Sequence, residues 1–244
     1  MRARGIARTA ALAAVGALVL AVSAGAVGPP VATYEVTIEN LTKGQPFTPP
    51  VVATHRAATD VFDVGSAANQ GVKEIAENGN LTPLLAALDA DRHVYDVASL
   101  TGPVVPSGLP RSGVGPDTVT VTVTGALGAN RLSFVSMLIC TNDGFTGADS
   151  LLLPNRVGET AMAYTNGYDA GTERNTEDLA DIVPPCQGLV GVSSGEAGTG
   201  TSDPALAEVG VIRHHPGVAG GSDLLPGIHG WDDPVAKITI ERVS

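Results

Sequence analysis

Strict alternation of threonine and valine over Thr118–Thr124 is the feature that most restricts the fold of this 244-residue chain. Successive side chains of a β-strand point to opposite faces, so Val119, Val121 and Val123 share one face and the threonines share the other. This period-two pattern predicts a strand with one buried and one solvated face. Thr33–Glu39 alternates apolar and polar residues in the same way and predicts another strand.

Other segments of the chain also have extended character. Further strands are predicted at Val51–Thr54, Arg131–Ile139, Glu208–Arg213 and Val235–Val243. They are separated by stretches rich in glycine and proline, and the region Thr141–Pro204 is predicted to be mostly loop. The sequence has no regular alternation of strands and helices, which disfavours a doubly wound nucleotide-binding fold.

Helical spacing is confined to one short part of the chain. The apolar positions of Ser66–Glu77 predict a helix that Asn78-Gly79 would end. Thr82 supplies an N-cap and Pro83 a first-turn proline for a second helix over Leu84–Leu88. The predicted fold class is therefore all-β, an antiparallel β-sandwich with a short inserted helical segment.

The N-terminal segment has the features of a signal peptide. Three arginines within the first eight residues precede an apolar run, Ala10–Val22, and a small-residue motif that ends at Ala26. The run is about 13 residues long, whereas a membrane-spanning helix needs about 18 to 20. We therefore predict a signal peptide over 1–26 with cleavage after Ala26, a secreted domain over 27–244, and no membrane span after cleavage. A retained membrane anchor is the alternative.

Charge restricts the possible partners of the exported chain. Three of its 14 basic residues lie in the signal peptide, which leaves 11 against 25 acidic residues and a formal net charge of −14. Nucleic acid and anionic membrane surfaces are therefore excluded as expected partners, because both attract positively charged proteins.

The chain contains two cysteines, Cys140 and Cys186. Export places them in an oxidising compartment, where disulfides form and persist. We therefore predict a disulfide between them. Metal-ligating or catalytic thiols are the alternatives.

Standard catalytic motifs are missing from the sequence, including Gly-x-Ser-x-Gly, His-Glu-x-x-His and the phosphate-binding glycine-rich loops. His214 and His215 are adjacent, so on a strand they point to opposite faces and form a poor joint metal site. The acidic segments around Asp143 and Asp169 carry the oxygen ligands that Ca²⁺ prefers. Both segments are also rich in residues that favour ordinary turns.

Two motifs in these acidic segments resemble the spondin domain family, including its stand-alone secreted bacterial members. The family has a strand that ends in Ser-Pro-Asp-Trp, then Phe-x-Gly-x-Asp-Ser, and later Trp-Asp-Ala-Gly-Thr-Asp. The positions that match in order and spacing are Asp143, Phe145, Gly147, Asp149, Ser150 and the run Asp169–Thr172. The chain departs from the pattern at Gly144 and Tyr168, which replace tryptophan, and at Glu173, which replaces aspartate.

The resemblance implies a β-sandwich similar to C2 domains, with one Ca²⁺ held in loops at one end. The ligands that it implies are Asp143, the backbone carbonyl of Ile139, Asp169 and Glu173. The exchange of aspartate for glutamate at position 173 adds one methylene group to that ligand, and whether Glu173 contacts the ion directly stays open.

The resemblance also implies a function, that of a secreted calcium-binding module. Such a module would bind an extracellular, cell-surface or matrix partner, either protein or glycan, and would not be an enzyme. One alternative is a secreted metal-dependent hydrolase in which Asp143, Asp149 and Asp169 hold a metal that activates water. Another is a purely structural envelope protein whose ion only stiffens its loops.

Overall fold

The computed structural model describes residues 31–107, 109 and 115–244. The predicted signal peptide, 1–26, lies outside the described residues. The strands are β1 (Val31–Asn40), β2 (Val51–His55), β3 (Val94–Ser99), β4 (Thr118–Ala126), β5 (Arg131–Met137), β6 (Gly144–Leu152), β7 (Thr160–Thr165), β8 (Gly167–Asp169), β9 (Arg213–His214) and β10 (Ala236–Arg242). The helices are α1 (Gln70–Asn78), α2 (Thr82–Ala90), α3 (Pro185–Val190) and α4 (Pro226–His229).

The described strands form two antiparallel sheets. One sheet has the order β4-β1-β10-β7 and the other the order β3-β2-β5-β6-β8-β9. Apolar side chains from both sheets share one core, including Val36 and Ile238 from the first sheet and Leu132 and Phe134 from the second. The predicted all-β sandwich is therefore confirmed.

The alternation of Thr118–Thr124 has the predicted effect. Val121 and Val123 are buried, whereas Thr118, Thr120 and Thr122 on the opposite face of β4 are exposed. Burial of such valine side chains contributes about 1.5 to 3 kcal/mol each. This hydrophobic contribution fixes the register of β4, because a one-residue slip would turn every valine toward solvent.

The inserted helices cover the other face of the six-stranded sheet. Val72 and Ile75 of α1 and Leu84 of α2 pack in a second core with Val51 and Val135 of the sheet. All five residues of β2 are buried, because β2 has the sandwich core on one face and the helices on the other. The six-stranded sheet is thus a middle layer.

The helix boundaries differ slightly from the prediction. The first helix begins at Gln70 and not at Ser66, because the side chain of Asn69 accepts a hydrogen bond from the backbone N–H of Val72 at 3.0 Å and caps the helix. It ends at Gly79, which has the left-handed conformation with φ of 62°. The second helix begins at Thr82 itself, one residue earlier than an N-cap at that position would place it.

The region Thr141–Pro204 is mostly loop, as predicted, but the prediction missed the strands β6, β7 and β8. Their sequences have few large apolar residues. In β6, a Cβ atom at Gly147 would lie 2.5 Å from the carbonyl oxygen of Phe134 and 3.0 Å from the ring of Phe62. Close packing therefore requires glycine in a strand where propensity alone indicates a loop.

The strand predicted at Glu208–Arg213 was largely wrong. Only Arg213 is extended, as the first residue of β9. The backbone N–H groups of Glu208 and Gly210 donate instead to the carbonyls of Thr172 and Gly171, at 2.9 and 2.8 Å. The segment therefore follows the acidic loop, and its backbone hydrogen bonds are made with that loop.

Cys140 and Cys186 form the predicted disulfide, with 5.0 Å between their Cα atoms. Cys140 follows β5, and Cys186 lies in α3. Both side chains are fully buried in the core that also contains the inserted helices. The bond therefore fixes the segment after β5 to a distant part of the chain. None of the helices in the described ranges combines the length and the hydrophobicity that a bilayer-crossing helix requires.

Candidate functional site

Asp143 lies in the turn between β5 and β6, and its side chain is fully buried. Its Oδ2 atom accepts hydrogen bonds from the backbone N–H groups of Thr172 at 2.7 Å and Glu173 at 3.0 Å. Its Oδ1 atom is buried and has no hydrogen-bond partner. Buried carboxylate oxygens are normally paired, because leaving one unpaired costs the full desolvation penalty of the group.

Asp169 lies beside Asp143 because β6 and β8 are paired. The register places Asp169 opposite Gly144, and the backbone N–H of Ala170 donates to the carbonyl of Asp143 at 3.1 Å. The carboxylate of Asp169 is also fully buried. Two buried aspartates from separate parts of the chain therefore meet at one end of the six-stranded sheet.

The two aspartates differ in how well their charges are compensated. The Oδ1 atom of Asp169 accepts from the backbone N–H of Gly171 at 2.8 Å, and its Oδ2 atom accepts from Asn175 at 2.8 Å and Arg213 at 3.2 Å. Burial, and secondarily the charge of Asp169, raise the pKa of Asp143 to about 6, although two backbone hydrogen bonds oppose the shift. The pair thus has negative charge that a cation would stabilise.

The backbone N–H and the side-chain carboxylate of Glu173 contact different residues. Its N–H contacts Asp143, whereas its carboxylate accepts a long hydrogen bond of 3.5 Å from the backbone N–H of Asp203. Burial and then the charge of Glu77 raise the pKa of Glu173 to about 7, and Asp143 contributes less. Its carboxylate is therefore buried and poorly compensated, as that of Asp143 is.

The predicted ligands come together only in part. Asp143 and Asp169 are neighbours. Ile139 lies just after β5, and its backbone N–H donates to the carbonyl of Pro46. The carbonyl of Ile139 is the group that the prediction names as a ligand. In the described ranges, one group of three acidic side chains has oxygens within 4.8 Å of one another, namely Asp178, Glu196 and Asp223. The oxygens of Asp143, Asp169 and Glu173 are more widely spaced than that.

Asp149, which the hydrolase alternative requires beside the metal, lies in a different network. Its Oδ1 atom accepts from the backbone N–H of Val61 and from the hydroxyl of Ser133, both at 2.9 Å. The Nε2 atom of the buried His55 lies 2.7 Å from the same hydroxyl. This network surrounds the irregular pairing of β5 and β6 near Ser133, so Asp149 stabilises the sheet.

His214 and His215 point to opposite sides, as the sequence predicts. His214 is exposed, with its Nδ1 atom 3.2 Å from Asp233. His215 is buried, and burial lowers its pKa to about 4. Two partners of Asp169, Arg213 and Asn175, were not predicted from the sequence. Asn175 lies six residues beyond Asp169, but Arg213 is 44 residues away, and only the pairing of β8 with β9 brings it close.

Gly171 allows the loop after β8 to pass close to the segment that contains Val211. It has a φ of 68°, and an added Cβ atom would lie 2.7 Å from the backbone N and O atoms of Val211. We expect Gly171→Ala to lower the free energy of unfolding by about 2 to 4 kcal/mol, because strained φ and backbone crowding add. Urea denaturation followed by circular dichroism measures this change.

Gly158→Ala is the matched control, because Gly158 has a φ of 81° but no atom within 4 Å of an added Cβ. It should cost only the strain of the left-handed conformation, about 1 kcal/mol. Equal losses in the two variants would contradict the close approach at Gly171.

The profile of the Spondin_N family matches residues 39–178, which is more than half of the chain. The matched range contains Ile139, Asp143, Asp169 and Glu173, whereas Cys186 and Arg213 lie beyond it. No curated protein matches the chain significantly. The match over most of the sandwich and both acidic segments shows that this chain belongs to the Spondin_N family, the spondin domain that its two motifs resemble.

Proposed function

We propose that this protein is a secreted, calcium-binding spondin module that binds an extracellular protein or glycan and is not an enzyme. The observation that carries the calcium proposal is the buried, unpaired Oδ1 atom of Asp143 beside the buried carboxylate of Asp169. A bound cation would remove the cost of this unpaired charge. Ca²⁺ suits the site, because it accepts six to eight oxygen ligands in flexible geometry.

The residues that would hold the ion are Asp143, Asp169 and the carbonyl of Ile139, with Glu173 as a further oxygen ligand. The ion would supply positive charge that links the turn after β5 to the loop after β8. The hydrogen bonds from Thr172 and Glu173 to the Oδ2 atom of Asp143 already orient its carboxylate and leave Oδ1 as the free ligand atom. These hydrogen bonds thus partly pre-organise the site for the ion.

Two features favour a binding module over a hydrolase. Asp149 is engaged with Ser133 and Val61 and does not accompany Asp143 and Asp169. The Spondin_N family is typical of extracellular modules and is not a known class of enzymes. The ion would then have a structural role, in which it orders the loops that contact a partner.

Isothermal titration tests the calcium proposal directly. Protein freed of metal by chelator should bind one Ca²⁺ per chain and bind Mg²⁺ much more weakly, because Mg²⁺ requires smaller, octahedral coordination. Native mass spectrometry should show one retained calcium ion. Absence of both the heat and the retained ion would disprove the calcium site.

Arrays of extracellular-matrix proteins and glycans test the partner proposal. The secreted domain should bind a subset of these molecules in calcium and lose that binding in chelator. Cleavage of a bound glycan or protein, with release of products, would overturn the proposal that the module is not an enzyme.

We expect calcium affinity to fall as the pH is lowered from 8 to 5. Calcium ligands must be deprotonated, and the raised pKa values of Asp143, about 6, and Glu173, about 7, mean that protons compete with the ion in this range. The affinity should change by up to about tenfold per pH unit for each proton released. Titrations at several pH values measure this slope, and Glu173→Gln should remove the part near pH 7. An affinity independent of pH would contradict the proposed ligands.

A further inference from the structure

Arg213 reaches from the protein surface to the buried acidic pair. Its Nη2 atom lies 3.2 Å from the Oδ2 atom of Asp169, and the pairing of β8 with β9 places the two residues directly opposite each other. The side chain of Arg213 is 55% exposed, whereas that of Asp169 is fully buried. A half-exposed cationic side chain is therefore paired with a fully buried carboxylate.

The charge of Arg213 acts on both aspartates. The hydrogen bond and the charge of Asp169 raise the pKa of Arg213, and the charge of Asp143 adds to the effect. Asp143 itself receives only neutral hydrogen-bond donors, from Thr172 and Glu173. Arg213 thus compensates part of the negative charge of this pair.

Arg213 also has a second partner on the solvent side. The same Nη2 atom lies 3.8 Å from the Oε2 atom of Glu208, whose side chain is 34% exposed. The guanidinium group can therefore leave Asp169 by rotation of its own side chain and stay paired with Glu208. Such an exchange needs no movement of β8 or β9.

We propose that Arg213 is a built-in counter-cation, which compensates part of the charge of the acidic pair when no metal is bound and is displaced from Asp169 when calcium binds. This inference rests on the proposed calcium function and deepens it. It explains how the protein stays folded without metal although it buries two carboxylates. It also assigns Arg213 a role in setting calcium affinity, because the ion must compete with the guanidinium group for the Oδ2 atom of Asp169.

Arg213→Gln tests this role, with Arg174→Gln as the matched control. Arg174 is exposed on the loop after β8, and its guanidinium donates to the carbonyl of Ala205 at 3.2 Å and makes no contact with Asp169. In chelator, Arg213→Gln should melt several degrees below wild type, because the buried carboxylate loses its counter-charge. In titrations it should bind Ca²⁺ about fivefold to tenfold more tightly. Arg174→Gln should match wild type in both measurements.

The outcomes separate this inference from the calcium function. If wild type binds Ca²⁺ and Arg213→Gln binds it equally or more weakly, Arg213 is not a competitor and the inference is wrong. If neither protein binds Ca²⁺, the proposed function itself fails, and displacement fails with it. Should Arg213→Gln not fold, Arg213→Lys is the second variant. It keeps the positive charge but lacks the planar guanidinium group that contacts the Oδ2 atom of Asp169, so it should bind Ca²⁺ more tightly than wild type. Unchanged affinity in Arg213→Lys would then overturn the inference.

Discussion

Removal of calcium should lower the melting temperature of this protein by about 5 to 10 °C when the ion was present at a hundredfold excess over its Kd. An ion that binds only the native state stabilises it by about 2.7 kcal/mol under that condition, and each kcal/mol shifts the melting temperature of a domain of this size by about 2 to 4 °C. Thermal scans in excess calcium and in excess chelator measure the difference. Magnesium should restore little of it.

Variants of the acidic residues show which side chains the shift depends on. Asp143→Asn and Asp169→Asn should each abolish most of the shift, because each removes a charged ligand from the buried pair. Glu173→Gln should only weaken it, because the Glu173 carboxylate accepts a hydrogen bond from the backbone N–H of Asp203, outside the pair. Asp203→Asn is the control, since its exposed side chain accepts only from the backbone N–H of Ala205.

One result of the thermal scans would contradict the calcium prediction. Bound metal must first be shown to be absent, by elemental analysis of the chelator-treated protein. If wild type then melts at the same temperature in calcium and in chelator, the acidic pair is not a calcium site.

Loss of the disulfide should destabilise the protein even more strongly. The bond joins Cys140 and Cys186 across a sequence separation of 46 residues, and a cross-link of this span restricts the unfolded chain by about 4 kcal/mol. Replacement of both cysteines by alanine should therefore lower the melting temperature by about 8 to 16 °C. Urea denaturation of the double variant and of oxidised wild type measures the loss in free energy of unfolding, and thermal scans measure the change in melting temperature.

Reduction of the wild-type protein supplies the matched control for this loss. Reductant should destabilise wild type to about the level of the double alanine variant and should leave the variant itself unchanged. The variant should also bind calcium less tightly, because Cys140 adjoins the Ile139 carbonyl. A double variant that is as stable as oxidised wild type would show that the bond adds no stability.

The strands with strict alternation could be predicted from the sequence, and those with glycine could not. In Thr118–Thr124, the pattern and the burial agree because one face of β4 meets the core. In β6, Gly147 is required by contact with Phe134 of the neighbouring strand β5 and with Phe62, which is distant in sequence. Sequence periodicity reports burial along one strand and carries no information on what packs against it.

The acidic pair was predictable for a similar reason, and its counter-cation was not. Asp143 and Asp169 belong to motifs of a family in which they lie together, and the pairing of β6 with β8 places them together here. Arg213 belongs to no motif and lies beyond the family match. Its position depends on a two-residue strand, β9, whose single pairing with β8 leaves no pattern in the sequence.

The place of β10 determines where this chain can be shortened. Although it comes last in sequence among the described strands, it lies between β1 and β7 in the four-stranded sheet, and among those strands it is the only neighbour of β7 in that sheet. A fragment cut at residue 178, where the family match ends, would lack β10, Cys186 and Arg213 together. Such a fragment would expose two unpaired strand edges, which are templates for aggregation. The family match is therefore shorter than the unit that must be expressed, and recombinant work on this protein requires the chain through β10.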